Sequence, residues 1–567
     1  MDATGRRTGG AVPVGTAPPV RPCSPAGPGP GRAVPRADRS GPGARRVAHG
    51  ARVRQTDSLA ARGRGPGGVH VNPEPPTTPV VRRPAPDHLH RTVTSMPGAR
   101  TVLDALHPLG RPLVVGGTVR DALLREAGRP VPGTAAGDLD VELHTGHGVD
   151  RVVAALREVG ASVVRAGARF EVCKVALDGT QVDVAVVPAA LEPDTGFRDA
   201  SARRDFTVDA VAWDPHEDVL LDAHGGLEDV RSGVLRHTSD RFVEDPLRVL
   251  RAVQLVARYG FVVHPDTVAL ARRTSDRWTE IAPDRVWPEL RRLASGDHVA
   301  AALEVLHAVD WERHLPELAA VRDVPQDPSW HPEGPVHVHL GLAGDAAARA
   351  CTADGVTGED RVVAVLGAVL HDLGKAGDGT QVVDEDGRRR IRSLGHEVTG
   401  AEAARALLRR VGAPRSVTER IARIVREHMV PHSTGGAAPT VPAARRLLRR
   451  LGGTRADVDA WARVCAADVH GRGSTCGVPQ GVGTSTSSTS STRLPDPVAR
   501  WLRVLTSDAV LGRRTPLLTG RDLLDAGLAP GPAFRAVLDA ATAAQDDGVF
   551  DDVDGARRWL AAHIAER

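Results

Sequence analysis

The sequence predicts an α/β head followed by a predominantly α-helical body. Between Pro97 and Ala212, short runs with period-two apolar alternation are interleaved with helical patterns. Beyond that point the pattern is mostly helical, with apolar residues three or four apart. A Gly-Gly pair at Gly116-Gly117 joins a predicted strand directly to a predicted helix, a turn that suits α/β units. The 567 residues allow roughly three or four domains, and a hydrophobic share of 41% suffices to build their cores.

The elements follow in order. Residues 1–95 are rich in Pro, Gly, Arg and Ala, with few large apolar side chains. Such a segment buries too little surface to offset its ordering entropy, so it is expected to be disordered. Met96 stands just before the first helical pattern, which leaves Met1 and Met96 as alternative translation starts. Residues 96–212 form the head: a helix over 101–109, a strand over 112–115 and a helix over 119–127. A strand over 138–143, a helix over 149–159 and a strand over 162–165 follow. Two further strands, 170–177 and 181–187, flank Asp178-Gly179 and read as a hairpin. Helices are expected on one face of these strands. Residues 213–325 read as a helical neck and body, and 326–472 as an all-helical domain rich in His and Asp. The stretch 473–496 is a Ser/Thr-rich linker, and 497–567 a helical closing segment. In that segment Thr519 is placed to cap a helix, and Pro530-Gly531-Pro532 separates it from the next.

Charge and cysteine usage narrow the function classes. A net charge of +3 gives no global polycation, so nucleic-acid binding has to come from local patches. Arginine runs at Arg388–Arg390 and around Arg445–Arg450 are compatible with such a patch or with solvated helix faces. Cys23, Cys173, Cys351, Cys465 and Cys476 form no CxxC pair and no even disulfide set, which fits a reducing, cytoplasmic setting. No apolar run reaches membrane-spanning length, and no membrane partner is expected.

Two strings carry the chemistry of the head: VVGGTVRDALL, Val114–Leu124, and DLDVE, Asp138–Glu142. Alternate strand residues share a face, so Asp138 and Asp140 project together, with Glu142 next. Clustered hard carboxylates suit Mg2+. Gly116 and Gly117 are candidates to meet a phosphate, since a glycine backbone can approach it closely. Arg120 is expected to offer its guanidinium fork to phosphate oxygens. Together these features point to metal-assisted nucleotidyl transfer. Asp183, in the second hairpin strand, is either a third carboxylate of that site or a solvent-facing strand residue.

Three downstream strings, RRDFTVDA (Arg203–Ala210), GGLEDVRSGVLRH (Gly225–His237) and EDPLRVLRAVQLVARYGF (Glu244–Phe261), follow in order. With the first two they resemble the bacterial tRNA nucleotidyltransferase (CCA-adding enzyme)/poly(A) polymerase family. The resemblance runs from about Thr101 to the C-terminus, apart from the Ser/Thr-rich insert. It implies that the head is a polymerase β-like nucleotidyltransferase palm. It also implies that Arg204 and Asp205 contact the nucleotide or fix the palm–neck junction. Asp245 and Arg248, three apart and expected on one helical face, would read the edge of the incoming base, with Glu244 and Arg251 as braces. The chain departs from the family pattern at Asp209, where Asn is usual, and at Gln254-Leu255, where Arg-Phe is usual.

WHPEGPVHVHL (Trp330–Leu340), LHDLGK (Leu370–Lys375), GHEVTG (Gly395–Gly400), REHM (Arg426–Met429) and ADVHGRG (Ala467–Gly473) resemble an HD-type metal phosphohydrolase. That resemblance makes His339, His371, Asp372, His396 and His428 candidate ligands of a divalent metal, with Asp468 a further one. Lys375, one of two lysines in the chain, falls inside the HDLGK string and can place a compact ammonium beside phosphate or the His-Asp pair. The function implied is addition of C and A to tRNA 3′ ends from CTP and ATP, with phosphohydrolysis of phosphoester ends. Two alternatives stay open. One is an A-adding or poly(A) polymerase-type enzyme, and the other an HD phosphohydrolase with a non-catalytic head.

Overall fold

The computed structural model describes residues 79–132, 138–166, 172–189, 193–377, 380–385, 387–434, 437–472, 494–512 and 515–565. The expected disorder of residues 1–78 and the linker over 473–493 lie outside these residues. The head is built on one sheet of eight strands: β1 (Val81–Pro84), β2 (Gly110–Val115), β3 (Asp138–Thr145), β4 (Ser162–Ala166), β5 (Val172–Leu177), β6 (Thr180–Pro188), β7 (Ala212–Asp214) and β8 (Val219–Asp222). The strand order is β1-β8-β7-β2-β3-β6-β5-β4. β3 and β6 are parallel, and their neighbours pair antiparallel. The β5–β6 hairpin turns at Asp178 and Gly179, with φ of 50° and 87°, the left-handed pair a tight right-twisted hairpin needs.

Two expectations about the head change. The folded head begins before residue 96. Val81–Pro84 pairs with β8, and the helix Asp87–Thr94 buries Leu89 and Val93, four residues apart on one face. The surrounding Pro and Arg hide this short amphipathic signal. Helices also cover both faces of the sheet. Val114, Leu139 and Val141 pack with Val119, Val152 and Leu156 on one side. On the other side, Leu113 and Val115 pack with Phe197 of the helix Pro193–Ser201. Register places Asp140 beside Val115 and Glu142 beside Leu113, so the carboxylates lie on this second, partly covered face.

The neck helix Leu247–Tyr259 turns ten of its thirteen residues into the core, among them Gln254 and Leu255. The core is continuous from the head through the His/Asp-rich domain. That domain's helices are Val336–Ala353, Gly358–Leu370, His396–Arg410, Arg415–Glu427 and Arg455–His470. It is not all helical, because Thr380–Glu385 and Arg388–Ser393 pair as an antiparallel hairpin. The arginines of the second strand conceal its apolar content, which is Ile391 alone. The closing segment has its own small core of Leu518, Leu523, Val537, Phe550 and Leu560. A capping box at Thr519 and Asp522 starts its helix Gly520–Asp525.

The arginine run near residue 445 lies on an exposed helix face, but its charges are paired. Arg449 pairs with Asp546, Arg446 with Asp547 at 3.0 Å and Arg450 with Glu427 at 2.8 Å. Arg390 of the hairpin donates to Ser329 at 2.9 Å. Among the described residues, no helix is long and apolar enough to cross a membrane.

Candidate active sites

In the head, β2 ends at Val115 and the helix Gly117–Glu126 begins after Gly116. Gly116 has φ of +74°, and a Cβ there would sit 2.8 Å from Asp140 Oδ2 and 3.5 Å from Arg204 Nη1. The turn therefore requires glycine at Gly116 on two counts, and it brings backbone against the Asp140 carboxylate. At Gly117 a Cβ would meet Arg120 Nη2 at 3.4 Å.

Asp138 opens β3 and pairs with Gln181 of β6. Asp140 is solvent-exposed and lies in register with Asp183, so the two carboxylates share a face. Surrounding protein raises the Asp140 carboxyl above its usual range. Arg204 opposes this, and the like charges of Asp183 and Asp209 add to it. Asp183 also meets Lys174 Nζ at 3.3 Å across the β5–β6 pair. A divalent cation fits such a set, since it relieves like-charge repulsion between hard oxygen donors. Glu142, the next residue on the face, is buried. Arg204 grips its Oε1 through Nε at 3.0 Å and Nη2 at 2.6 Å. Burial alone would raise the Glu142 carboxyl, but Arg204 and His144 bring it down to about 2.

Three residues are placed differently from expectation. Arg120 does not present its fork to solvent. Its guanidinium is buried, with Nη1 on Asp209 at 2.6 Å and Nη2 on Asp121 at 2.8 Å and on Tyr259 Oη at 2.6 Å. With Nε also on Asp121 at 3.0 Å, every nitrogen has a partner, so Arg120 ties the turn to the neck instead of reaching a phosphate. The same pair accounts for Asp209, whose charge is neutralised by Arg120. Asp245 and Arg248 do not share a helical face, because Asp245 precedes the neck helix in extended conformation. Asp245 accepts from Leu247 N at 3.1 Å and pairs with Arg285 at 2.7 Å. Arg248 pairs with Asp205 at 2.7 Å and donates to the carbonyls of Arg241 and Arg203 at 2.7 and 2.6 Å. Arg251 holds the other oxygen of Asp205 at 2.5 Å, and Glu244 is exposed. Thus Asp205 gathers Arg248 and Arg251 beneath the Arg203–Asp205 segment.

The second site is buried and dense. His371 and His428 each follow the end of a helix, His339 lies near the start of one, and His396 opens another. His371 Nε2 lies 3.3 Å from His339 Nε2 and 3.2 Å from Asp372 Oδ2. His396 Nε2 lies 3.2 Å from His428 Nε2 and 3.1 Å from Asp372 Oδ1. Asp372 therefore offers one oxygen to each pair, and the cluster divides into two triads that share it. Asp468 Oδ1 approaches His339 Nε2 at 3.3 Å, and Lys375 Nζ sits 2.6 Å from Asp372 Oδ2. Burial and the neighbouring His371 push His428 down to about 3. Burial likewise disfavours charge on His339, but Asp468 and Glu333 carry it up to about 9. Converging imidazole and carboxylate donors in a buried cluster fit a divalent metal. Sequence reading left Glu333, His331 and His432 unassigned. Glu333 and His331 belong to the WHPEG string already singled out, whereas His432 reaches Asp468, at 3.8 Å, only through the fold.

Residues 113–236 match the Poly A polymerase head domain and residues 339–461 the HD domain. The chain is 34% identical over 331 residues to the "Multifunctional CCA protein" of Xanthomonas campestris pv. campestris (strain B100), covering 56% of this chain and 75% of that one. Identity to the protein of the same name from Stenotrophomonas maltophilia (strain K279a) is 33% over 333 residues, covering 56% and 76%. Among solved structures, a CCA-adding enzyme in complex with ATP superposes with a TM-score of 0.52 at 18% identity, covering 85% of this chain and 99% of that one. A Thermotoga maritima CCA-adding enzyme complexed with tRNA gives 0.50 at 17%, with the same coverage. The structural likeness speaks to the fold, and the sequence likeness to descent. With both domains in this order, the chain belongs to the multifunctional CCA protein family, an HD-bearing group of tRNA nucleotidyltransferases and poly(A) polymerases.

Proposed function

We propose that this chain adds C and A to tRNA 3′ ends from CTP and ATP, and that its HD domain hydrolyses phosphoester ends. The observation that carries the first part is the Asp140–Asp183 pair set against the Gly116 turn, in a chain similar to multifunctional CCA proteins. Asp138 and Asp140 would hold magnesium, with Asp183 as a further ligand or as base toward the attacking hydroxyl. Bound Mg2+ would neutralise triphosphate charge and favour the ionised 3′-hydroxyl. The tRNA 3′-oxygen bonds to the α-phosphorus, and pyrophosphate leaves. Arg204, anchored on Glu142 by Nε and Nη2, directs Nη1 toward the Gly116 turn, where it can meet a phosphate. Asp245 would exchange Arg285 for a base amino group, and Arg248 would release the Arg241 or Arg203 carbonyl to donate to the base beside it.

The HD part rests on the buried His/Asp cluster. His339, His371, Asp372, His396, His428 and Asp468 would hold the divalent metal, which would make a bound water nucleophilic. Lys375 neutralises charge beside Asp372. The substrate places the enzyme where tRNA matures, in the cytoplasm, and the free buried thiols of Cys173, Cys351 and Cys465 agree with this.

The test is incubation with Mg2+ and tRNA ending at the discriminator base, at -C and at -CC, with CTP and ATP supplied separately and together. Ordered addition of C, C and A is expected. Extension by A alone would replace this reading with an adenylyltransferase. Hydrolysis of 2′,3′-cyclic phosphate ends without incorporation would move the function to the HD domain.

A further inference from the structure

The four imidazoles of the HD cluster are not held alike. His371 Nδ1 contacts the Ala368 carbonyl at 2.8 Å, His396 Nδ1 that of Ser393 at 2.6 Å and His428 Nδ1 that of Val425 at 2.6 Å. Each uses the carbonyl three residues earlier, a neutral acceptor. His339 is backed by a charge instead. Its Nδ1 stands 2.8 Å from Glu333 Oε1, a charge contact off the line of a hydrogen bond, and that oxygen is hydrogen-bonded to His331 Nδ1 at 2.8 Å. The Glu333 side chain is 2% exposed, and the His331 and His339 rings meet edge to face with centroids 4.7 Å apart. A carboxylate so far from water is costly unless its partners use the charge.

We propose that Glu333 is a positioning residue of the HD centre. It holds His339 with Nδ1 toward its own carboxylate and Nε2 toward His371, Asp372 and Asp468, the side on which a metal would displace the Nε2 proton. It thereby makes the His339–His371–Asp372 triad bind a divalent cation more tightly than the Asp372–His396–His428 triad. The physical basis is that a carboxylate behind an imidazole selects its tautomer and raises the basicity of the other nitrogen, and a backbone carbonyl does this less. His331 holds the Glu333 carboxylate from its other side. The proposal rests on reading the cluster as a metal centre.

The test uses full-length protein carrying Asp138→Ala and Asp140→Ala, which silence the head as a competing cation site. After removal of metal by chelation, binding of Mn2+ is followed by calorimetry and by loss of the free-ion EPR signal. Two classes of site are expected. Adding Glu333→Ala should weaken the tighter class by about 10–100-fold and leave the weaker one within about twofold of its starting value. Glu333→Gln, which keeps shape and one acceptor but not the charge, should fall between. Equal weakening of both classes, or no change in either variant, would overturn the proposal. Mn2+ binding that is absent, or that survives Asp372→Ala, would instead overturn the metal-centre reading beneath it. Thermal melting of each variant and CTP incorporation by Glu333→Gln in an otherwise unchanged chain separate these outcomes from unfolding.

Discussion

Arg120 shows how one residue changes meaning between sequence and structure. An arginine at the start of a helix after a Gly-Gly turn invites a phosphate, yet its nitrogens are all engaged by Asp121, Asp209 and Tyr259. Replacing it with Met leaves two buried carboxylates without a cation, and breaking a buried pair from one side costs about 3–5 kcal/mol. Arg120→Met should therefore lower the urea midpoint sharply, whereas Asp209→Asn, which keeps an acceptor for Nη1, should cost much less. Glu289 tests pH dependence at the same scale. Burial raises its carboxyl despite Arg292 at 2.5 Å. A pKa higher in the folded than in the unfolded state gives stability that is full below the ordinary carboxylate pKa and lost as pH rises through the folded value. Glu289→Gln should accordingly raise the melting temperature at pH 7 and leave it nearly unchanged at pH 3, as differential scanning calorimetry can show.

Elements whose rules are local could be read directly. The Asp178-Gly179 hairpin and the Thr519 cap depend on neighbouring residues alone, and both stand where the sequence puts them. Val81–Pro84 and the hairpin Thr380–Ser393 depend on partners distant in sequence or on strands whose charged faces are tolerated by exposure, and they were missed. Gly116→Ala meets both a positive φ and Asp140 Oδ2 at 2.8 Å, so nucleotide incorporation should drop by about 5- to 150-fold for a cost of about 1–3 kcal/mol in the turn. Single-turnover incorporation of CTP measures it. The arginine helix Val441–Leu451 packs beside the closing segment. Its Arg446 and Arg449 hold Asp546 and Asp547 of the closing segment through partly exposed pairs. Because exposed pairs weaken with salt, Arg446→Glu with Arg449→Glu should loosen the helix Pro532–Asp546 as high salt does. Hydrogen exchange of that helix reports both.

Across the whole molecule, the two candidate sites occupy one chain on separate elements. The head carboxylates sit on a sheet face, whereas the His/Asp cluster sits between helix ends, and no residue is shared between them. Asp138→Ala with Asp140→Ala should abolish incorporation and spare phosphoester hydrolysis. His371→Ala with Asp372→Ala should do the reverse. Parallel assays on tRNA-CC and on a 2′,3′-cyclic phosphate end check this, and loss of both activities from a folded variant would contradict it.

The α/β head, the helical body and the family were legible along the chain, as were the candidate residues of both sites. These follow from periodicity and from motifs whose spacing is set along the chain. Only the tertiary structure decided which charges are spent on one another. Arg120 turns to Asp209, Arg248 to Asp205 and the Val441–Leu451 arginines to Asp546 and Asp547. It also decided that Asp372 divides its oxygens between two histidine pairs while Glu333 stands behind only one of them. Pairing across tens or hundreds of residues leaves no period in a sequence, because it is fixed by which surfaces pack together and by the cost of burying a charge alone.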